Sequence, residues 1–230
     1  MNTVFTCTLI CVLALAAGPV DTPTAIDSLR AGRDSGLNTN PDSPFWRSAP
    51  GVFAAVDSFG RPLAGSRTEV RSRWTFKSLY FLFICPYDQL NLRPNPSTVT
   101  ETNELWKWDV TEVFIGSNFQ NIRRYKEFEV SPQGEWIDLD IDLDTPHHED
   151  GWTWNSGFKV AARIDRRAHI WYAWMRIPYS AIDSRPAAAG NILRVNFYRS
   201  QGPNHQSIVW RPTGKASFHV PESFGELRLR

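Results

Sequence analysis

The stretch "TEVRSRWTFKSLYFLFICPYD" runs from Thr68 to Asp88. Its two halves, "TEVRSRWTF" and "LYFLFICPYD", are strand-like runs separated by "KS", the pattern of a β-hairpin. Outward from this hairpin the same signal repeats. "VTEVFIG", "YKEFEVSP", "WIDLDIDLD", "FKVAARID", "HIWYAWMRIP", "ILRVNFYRS", "SIVW" and "ELRLR" follow, with turn residues between most of them. No helical stripe of any length interrupts the series. Roughly ten short strands without crossover helices predict an all-β fold, an antiparallel β-sandwich of jelly-roll type.

Strand parity sorts the side chains by face, because successive residues of a strand point to opposite sides. In "YKEFEV", Phe128 and Val130 share one face, and Tyr125, Glu127 and Glu129 the other. In "ILRVNFYR", Leu193, Val195 and Phe197 go inward while Arg194, Asn196 and Tyr198 point away. Glu112 shares its face with Phe114. These second faces mix rings with hydrogen-bonding groups, the make-up of a sugar-binding surface and also of an ordinary solvated sheet.

Composition narrows the function. The chain has 230 residues, 25 basic and 24 acidic side chains and a net charge of +1. No broad positive field is available to hold a phosphate backbone, so nucleic acid is not an expected partner. Aromatic residues make up 13%, with 10 Trp, more indole than a core of this size needs. Some of it is expected to face a ligand.

The N-terminus carries an apolar run from Val4 to Ala17 that is too short to span a bilayer and ends in small residues. It reads as a signal peptide over residues 1–17, which predicts a secreted or periplasmic protein and no integral membrane segment. Cys7 and Cys11 leave with that segment, so Cys85, in the apolar "YFLFICP", is expected to be a buried, inert thiol with no disulfide partner. Residues 18–43, rich in Pro, Asp, Ser, Thr and Asn, read as an irregular lead-in to a single domain over 44–230. The chain is expected to be a monomer.

Two segments carry a family resemblance. "NELWKWDVTEVFIG", from Asn103 to Gly116, resembles the aromatic-x-x-Asp-x-(Val/Thr)-Glu-(Val/Ile)-Phe signature of family 9 carbohydrate-binding modules and their DOMON-like relatives. "IVWRPTGKASFHVPESFGELRL", from Ile208 to Leu229, resembles the C-terminal signature of the same group, and "YKEFEVSPQG", "IPYSAI" and "RVNFYR" fall between them in the order such modules use. The resemblance implies a secreted, non-catalytic β-sandwich serving polysaccharide breakdown, which grips a sugar or glycan end between two rings. Carried over by position, Trp106 is the first ring, Glu112 a carboxylate six residues later, and Phe218 the second ring, where the family has tryptophan. Glu129 stands where the family has arginine, and Arg194 where it has glutamine. Trp108 is expected to be structural.

"WIDLDIDLD" places Asp138, Asp140, Asp142 and Asp144 on one face, which invites calcium, and related modules hold structural calcium. Neighbouring carboxylates along one strand splay apart, however, and a charged edge that resists sheet-to-sheet pairing is the expected role. No cofactor is expected. "PHHEDGW" offers His147 and His148 without a zinc spacing. A glycosidase would need two carboxylates, for which Glu112 and Glu129 are the candidates. A haem-binding DOMON-like domain would need an axial ligand such as Met175, which by parity joins Trp171, Ala173 and Ile177 on a core face.

Overall fold

The computed structural model describes residues 23–145 and 149–230. The expected signal peptide, His147 and His148 lie outside the described residues. Ten strands correspond to the runs read from sequence: β3 (Thr68–Trp74), β4 (Ser78–Pro86), β5 (Val110–Gly116), β6 (Arg124–Val130), β7 (Trp136–Asp142), β8 (Lys159–Asp165), β9 (Ile170–Pro178), β10 (Ile192–Gln201), β11 (Gln206–Val209) and β12 (Gly225–Leu229). Two more precede them, β1 (Ala25–Arg30) and β2 (Gly51–Ala54). Helical structure among the described residues is limited to single turns. No described helix is long and apolar enough to cross a membrane.

The strands follow the order β7-β6-β5-β10-β12-β1-β3-β4-β9-β8, with β11 on β10 and β2 on β3. This path folds into two packed layers, and β1 is the corner between them. Its Ala25–Ser28 portion pairs parallel with β12, and Leu29 and Arg30 pair parallel with β3. The other ladders are antiparallel, so the sandwich is mixed only at β1.

This strand corrects the expectation of an irregular lead-in over 18–43. Its apolar pattern is illegible because it changes layers midway, so no single face stays buried along its length. Ser28, fully buried, instead accepts a hydrogen bond from the Ser72 hydroxyl at 2.9 Å.

The core between the layers is apolar and aromatic. Phe81, Phe83, Trp171 and Met175 from one layer meet Val113, Phe128, Phe197 and Leu227 from the other. Phe197 packs edge-on to both Phe81 and Phe83, with centroids 5.5 and 6.0 Å apart. Met175 is thus a packed core residue, on the face that parity assigns to it.

Arg199 continues the inward face of β10 and is fully buried. Its guanidinium donates to Thr68 Oγ1 at 2.9 Å and to the Pro86 carbonyl at 2.8 Å, binding one layer to the other. A buried cation with directed partners favours one docking of the layers over slid alternatives.

The two outer faces differ. Trp46, Tyr80, Leu82, Tyr172 and Trp174 form a second apolar cluster under the segment that precedes β2. Trp46 Nε1 donates to the Asn38 carbonyl at 2.8 Å, and Asp34 accepts from Thr75 Oγ1 at 2.5 Å and Tyr80 Oη at 2.9 Å. That cover explains why β4 reads as an unbroken apolar run: it is buried on both faces. The outer face of the β7-β6-β5-β10 layer carries Phe114, Tyr125, Tyr198 and Leu139. It is only partly roofed, and a cleft opens there.

Candidate functional site

Strand register builds the floor of the cleft. Glu112 on β5 lies opposite Tyr198 on β10 and Glu129 on β6, and Phe114 lies opposite Asn196 and Glu127. Directly opposed side chains on one face are about 5 Å apart at Cβ, and next-but-one residues of a strand share that face. The register therefore forces Glu112, Glu127 and Glu129 together. One carboxylate oxygen from each lies within 4.8 Å of the others, and all three residues are buried. Were all three charged, each pair would repel by about 3 kcal/mol at an effective dielectric of about 20. Such a trio is a place for a cation or a shared proton, and its hard oxygens are the donor type that calcium takes.

Rings form the walls. The cleft has a volume of about 640 Å3 and is lined by Trp106, Phe114, Leu139, Trp152, Phe218 and His219 around Glu112 and Glu127, with His205 and Lys107 at its sides. Trp106 sits on a single helical turn, Leu105–Lys107, entered through Glu104 in a left-handed conformation with φ of 57°. Leu105 is buried and pins the turn, which leaves the next side chain outside. Trp106 is accordingly 47% exposed. Lys107 Nζ lies 2.5 Å from the Glu104 carboxylate and 5.6 Å from the Trp106 ring centroid.

Behind this turn Asp109 is 1% exposed and accepts a hydrogen bond from the Gly202 amide at 2.5 Å. Burial pushes its carboxyl up to about 6, against the pull of the Gly202 bond and the Arg199 charge. One carboxylate thus ties the Trp106 turn to the loop that carries His205. Trp108 is partly buried beside it.

The opposite wall comes from the loop before β12. Phe218 stacks on Tyr198 with centroids 4.4 Å apart and planes 15° from parallel, and the Tyr198 hydroxyl donates to the Phe218 carbonyl at 3.0 Å. With one face on Tyr198, Phe218 has only its other face to offer a ligand. His219 Nδ1 and the Tyr125 hydroxyl share a hydrogen bond of 2.6 Å. Burial raises both tyrosine hydroxyls far above their ordinary value, so they remain protonated.

Of the residues expected from sequence, Trp106, Glu112 and Phe218 line one cleft. Glu129 is 1% exposed and backs Glu112 from β6. Arg194 lies apart from the lining. Its guanidinium donates to the carbonyls of Pro221 at 3.2 Å and Ile122 at 3.0 Å and rests over the Phe224 ring, so it positions the loop of the second wall. Gly116 lies opposite Arg194, and a Cβ there would come within 3.3 Å of that guanidinium.

Sequence reasoning missed Glu127, Trp152 and His219 as cleft residues. Glu127 shares a face with Glu129 and was within reach of the parity argument. Trp152 and His219 sit on connections, where no periodicity reports direction.

The aspartate row on β7 is an edge, as expected, for three of its members. Asp140, Asp142 and Asp144 pair with Lys126, Arg124 and Arg123 at 2.5, 2.8 and 2.6 Å. Asp138 departs from that reading: it is fully buried and accepts a hydrogen bond from the Ser156 amide at 2.7 Å. Burial, together with the hydrogen bond and charge of Asp138, pushes the Glu101 carboxyl up to about 7.

The fold is an all-β sandwich with an aromatic, carboxylate-floored cleft on one open face. The chain has the fold of family 9 modules. It superposes with a TM-score of 0.64 on a family 9 module from Caldicellulosiruptor kristjanssonii in complex with cellotriose, over 90% of this chain and 93% of that one at 13% identity. The same module in complex with glucose also gives 0.64 and 13% identity, over 90% and 95% of the two chains. In sequence, the chain is 25% identical over 139 residues to a protein of Arthroderma benhamiae named "Extracellular protein", covering 54% of this chain and 62% of that relative. No family model matches the chain.

Proposed function

We propose that this chain is a secreted, non-catalytic carbohydrate-binding domain that holds a sugar in the cleft between Trp106 and Phe218. The observation that carries the reading is the cleft itself, where exposed ring surface faces hydrogen-bonding carboxylates. Sugar C–H faces lie against rings, while hydroxyls donate to carboxylates such as Glu112 and Glu127. Glu129 supports that floor and Arg194 holds the second wall in place. The bound sugars of the structural neighbours support a carbohydrate ligand, and the name of the fungal relative supports an extracellular location.

Binding is favoured over hydrolysis by the placement of the acids. A glycosidase acid and its partner flank the scissile bond from two sides. Here Glu112 and Glu129 are register neighbours on adjacent strands of one floor. Met175, the axial ligand a haem reading would use, is a fully buried member of the apolar core between the layers.

A glycan array with wild type and Trp106→Ala tests the proposal. Sugar-specific signal that weakens by about tenfold in the variant supports it. Turnover of a chromogenic glycoside would favour the enzyme reading instead, and an array with no signal would leave the domain without a sugar ligand.

A further inference from the structure

Resting on the carbohydrate reading above, we propose that the cleft is one end of a longer groove and that the chain binds an oligosaccharide, whose units beyond the clamped sugar stack on Phe59. Beside the cleft lies a shallow hollow of about 340 Å3, lined by Asp57, Phe59, Arg61, Leu63 and Gln206. Ser207 and Ala216 line both the hollow and the cleft, so the two form one continuous depression. Ser200, opposite Ser207 in the β10–β11 register, also lines the cleft. The side chains at the junction, a hydroxymethyl and a methyl, make a low sill that a chain of pyranose rings can cross.

A single exposed ring has no meaning on its own, since isolated apolar side chains are normal on protein surfaces. Phe59 is set apart by where it stands and how it is held. It is 58% exposed, on a tight turn whose ends, Val56 and Pro62, pair as a bridge. Asp57 Oδ1 accepts from the amides of Phe59 and Arg61, both at 2.9 Å. The Asp57 amide donates to the Arg61 carbonyl at 2.9 Å, and the Gly60 amide to the Asp57 carbonyl at 3.0 Å. Gly60 closes the turn with a φ of 84°, which glycine adopts without strain.

This turn is fastened to the cleft wall. The Gly214 amide donates to the Ser58 carbonyl at 2.8 Å, and the Val209 amide to the Val56 carbonyl at 2.8 Å. The first bond ties Phe59 to the loop that carries Ala216 and Phe218, and the second ties it to β11, which carries Ser207. Phe59 and Phe218 therefore stand on one braced rim. An extended ligand meets both rings without having to order a loop, a cost that would otherwise weaken binding.

The chemistry of the hollow suits a sugar. The ring offers a face for C–H bonds, and donors surround it. The Arg61 guanidinium lies 5.6 Å from the ring centroid and spends Nε on Asp57 at 2.6 Å, which leaves its terminal nitrogens for hydroxyls. Gln206 accepts from the Ser66 hydroxyl at 2.9 Å through Oε1, and its amide nitrogen remains a donor.

The test is isothermal titration of the full chain with the monomer and tetramer of three series, the cello-, xylo- and manno-oligosaccharides. In a series that binds, the tetramer is expected to bind at least about tenfold tighter than the monomer. Phe59→Ala should weaken the tetramer by about fivefold and the monomer by less than about twofold, whereas Trp106→Ala should weaken both. Ala216→Trp, which raises the sill, should also bring the ratio of tetramer to monomer affinity toward one. Circular dichroism checks the folding of each variant, and the exposure of Phe59 makes its truncation mild.

A tetramer-to-monomer ratio near one in wild type, or one unchanged in Phe59→Ala, would overturn the groove and leave the clamp reading standing. Absence of binding in all three series, with an empty glycan array, would overturn both.

Discussion

Asp109, the buried carboxyl behind the Trp106 turn, makes stability depend on pH. Its folded pKa of about 6 stands above the ordinary 3.8, because burial penalises the charged form. The folded state therefore binds the proton more tightly than the unfolded chain, and the stabilisation this gives is fully present below about pH 4 and lost as pH rises through about 6. A rise from 3.8 to about 6 corresponds to about 3 kcal/mol. Glu101, raised to about 7, acts in the same direction at higher pH, weakened by its partial exposure. Asp34, lowered first by its Thr75 hydrogen bond, acts oppositely, but that contribution is complete above about pH 4.

Asp109→Asn is the informative perturbation. The amide keeps the oxygen that accepts from Gly202 at 2.5 Å, and Oδ2 has no hydrogen-bond partner to lose. The variant is expected to match wild type near pH 4 and to exceed it at neutral pH by up to about 3 kcal/mol. Urea unfolding followed by tryptophan fluorescence from about pH 4 to 8, on wild type, Asp109→Asn and Glu101→Gln, separates the two carboxyls. A wild-type stability that is flat or rising over this range, or an Asp109→Asn profile parallel to wild type, would refute the reasoning.

Three further outcomes are expected. Gly225→Ala should cost about 1–3 kcal/mol in urea unfolding, because a Cβ there would meet the Thr24 carbonyl at 2.6 Å and the Trp210 ring at 2.7 Å. Arg199→Met should lower stability by about 3 kcal/mol, since it removes the two charge-assisted hydrogen bonds, to the Thr68 hydroxyl and the Pro86 carbonyl, that tie one layer to the other; an unchanged urea midpoint would contradict the cross-layer role. Burial pushes the Cys85 thiol up to about 12, so a thiol reagent at about pH 8 should label it only at the rate of unfolding, and fast labelling of native protein would contradict its burial.

Legibility from sequence followed the physics of each element. Most of strands β3 to β12 announced themselves because one face stays buried along the length, as in β3, or both faces do, as in β4, β5 and β10, whereas β8, which has no fully buried residue, is set off by the turns on either side. The parity of β6 and β10 assigned Glu129, Arg194 and Tyr198 to the outer face correctly, since a two-residue period needs no knowledge of partners. β1 escaped because its burial is divided between two layers. The site was legible in part. Trp106, Glu112 and Phe218 meet at the cleft, while Arg194 shares their sheet face but spends its donors on two backbone carbonyls.

The chain by itself determined the class of fold, the pairing of alternate side chains onto faces and the surplus of aromatic rings, because these follow from local periodicity and composition. Tertiary structure decided which of those rings stand around one opening, and that Glu112, Glu127 and Glu129 converge on its floor. Convergence depends on the register between strands, and register is settled by packing across the whole sheet, a property that no single strand's sequence contains.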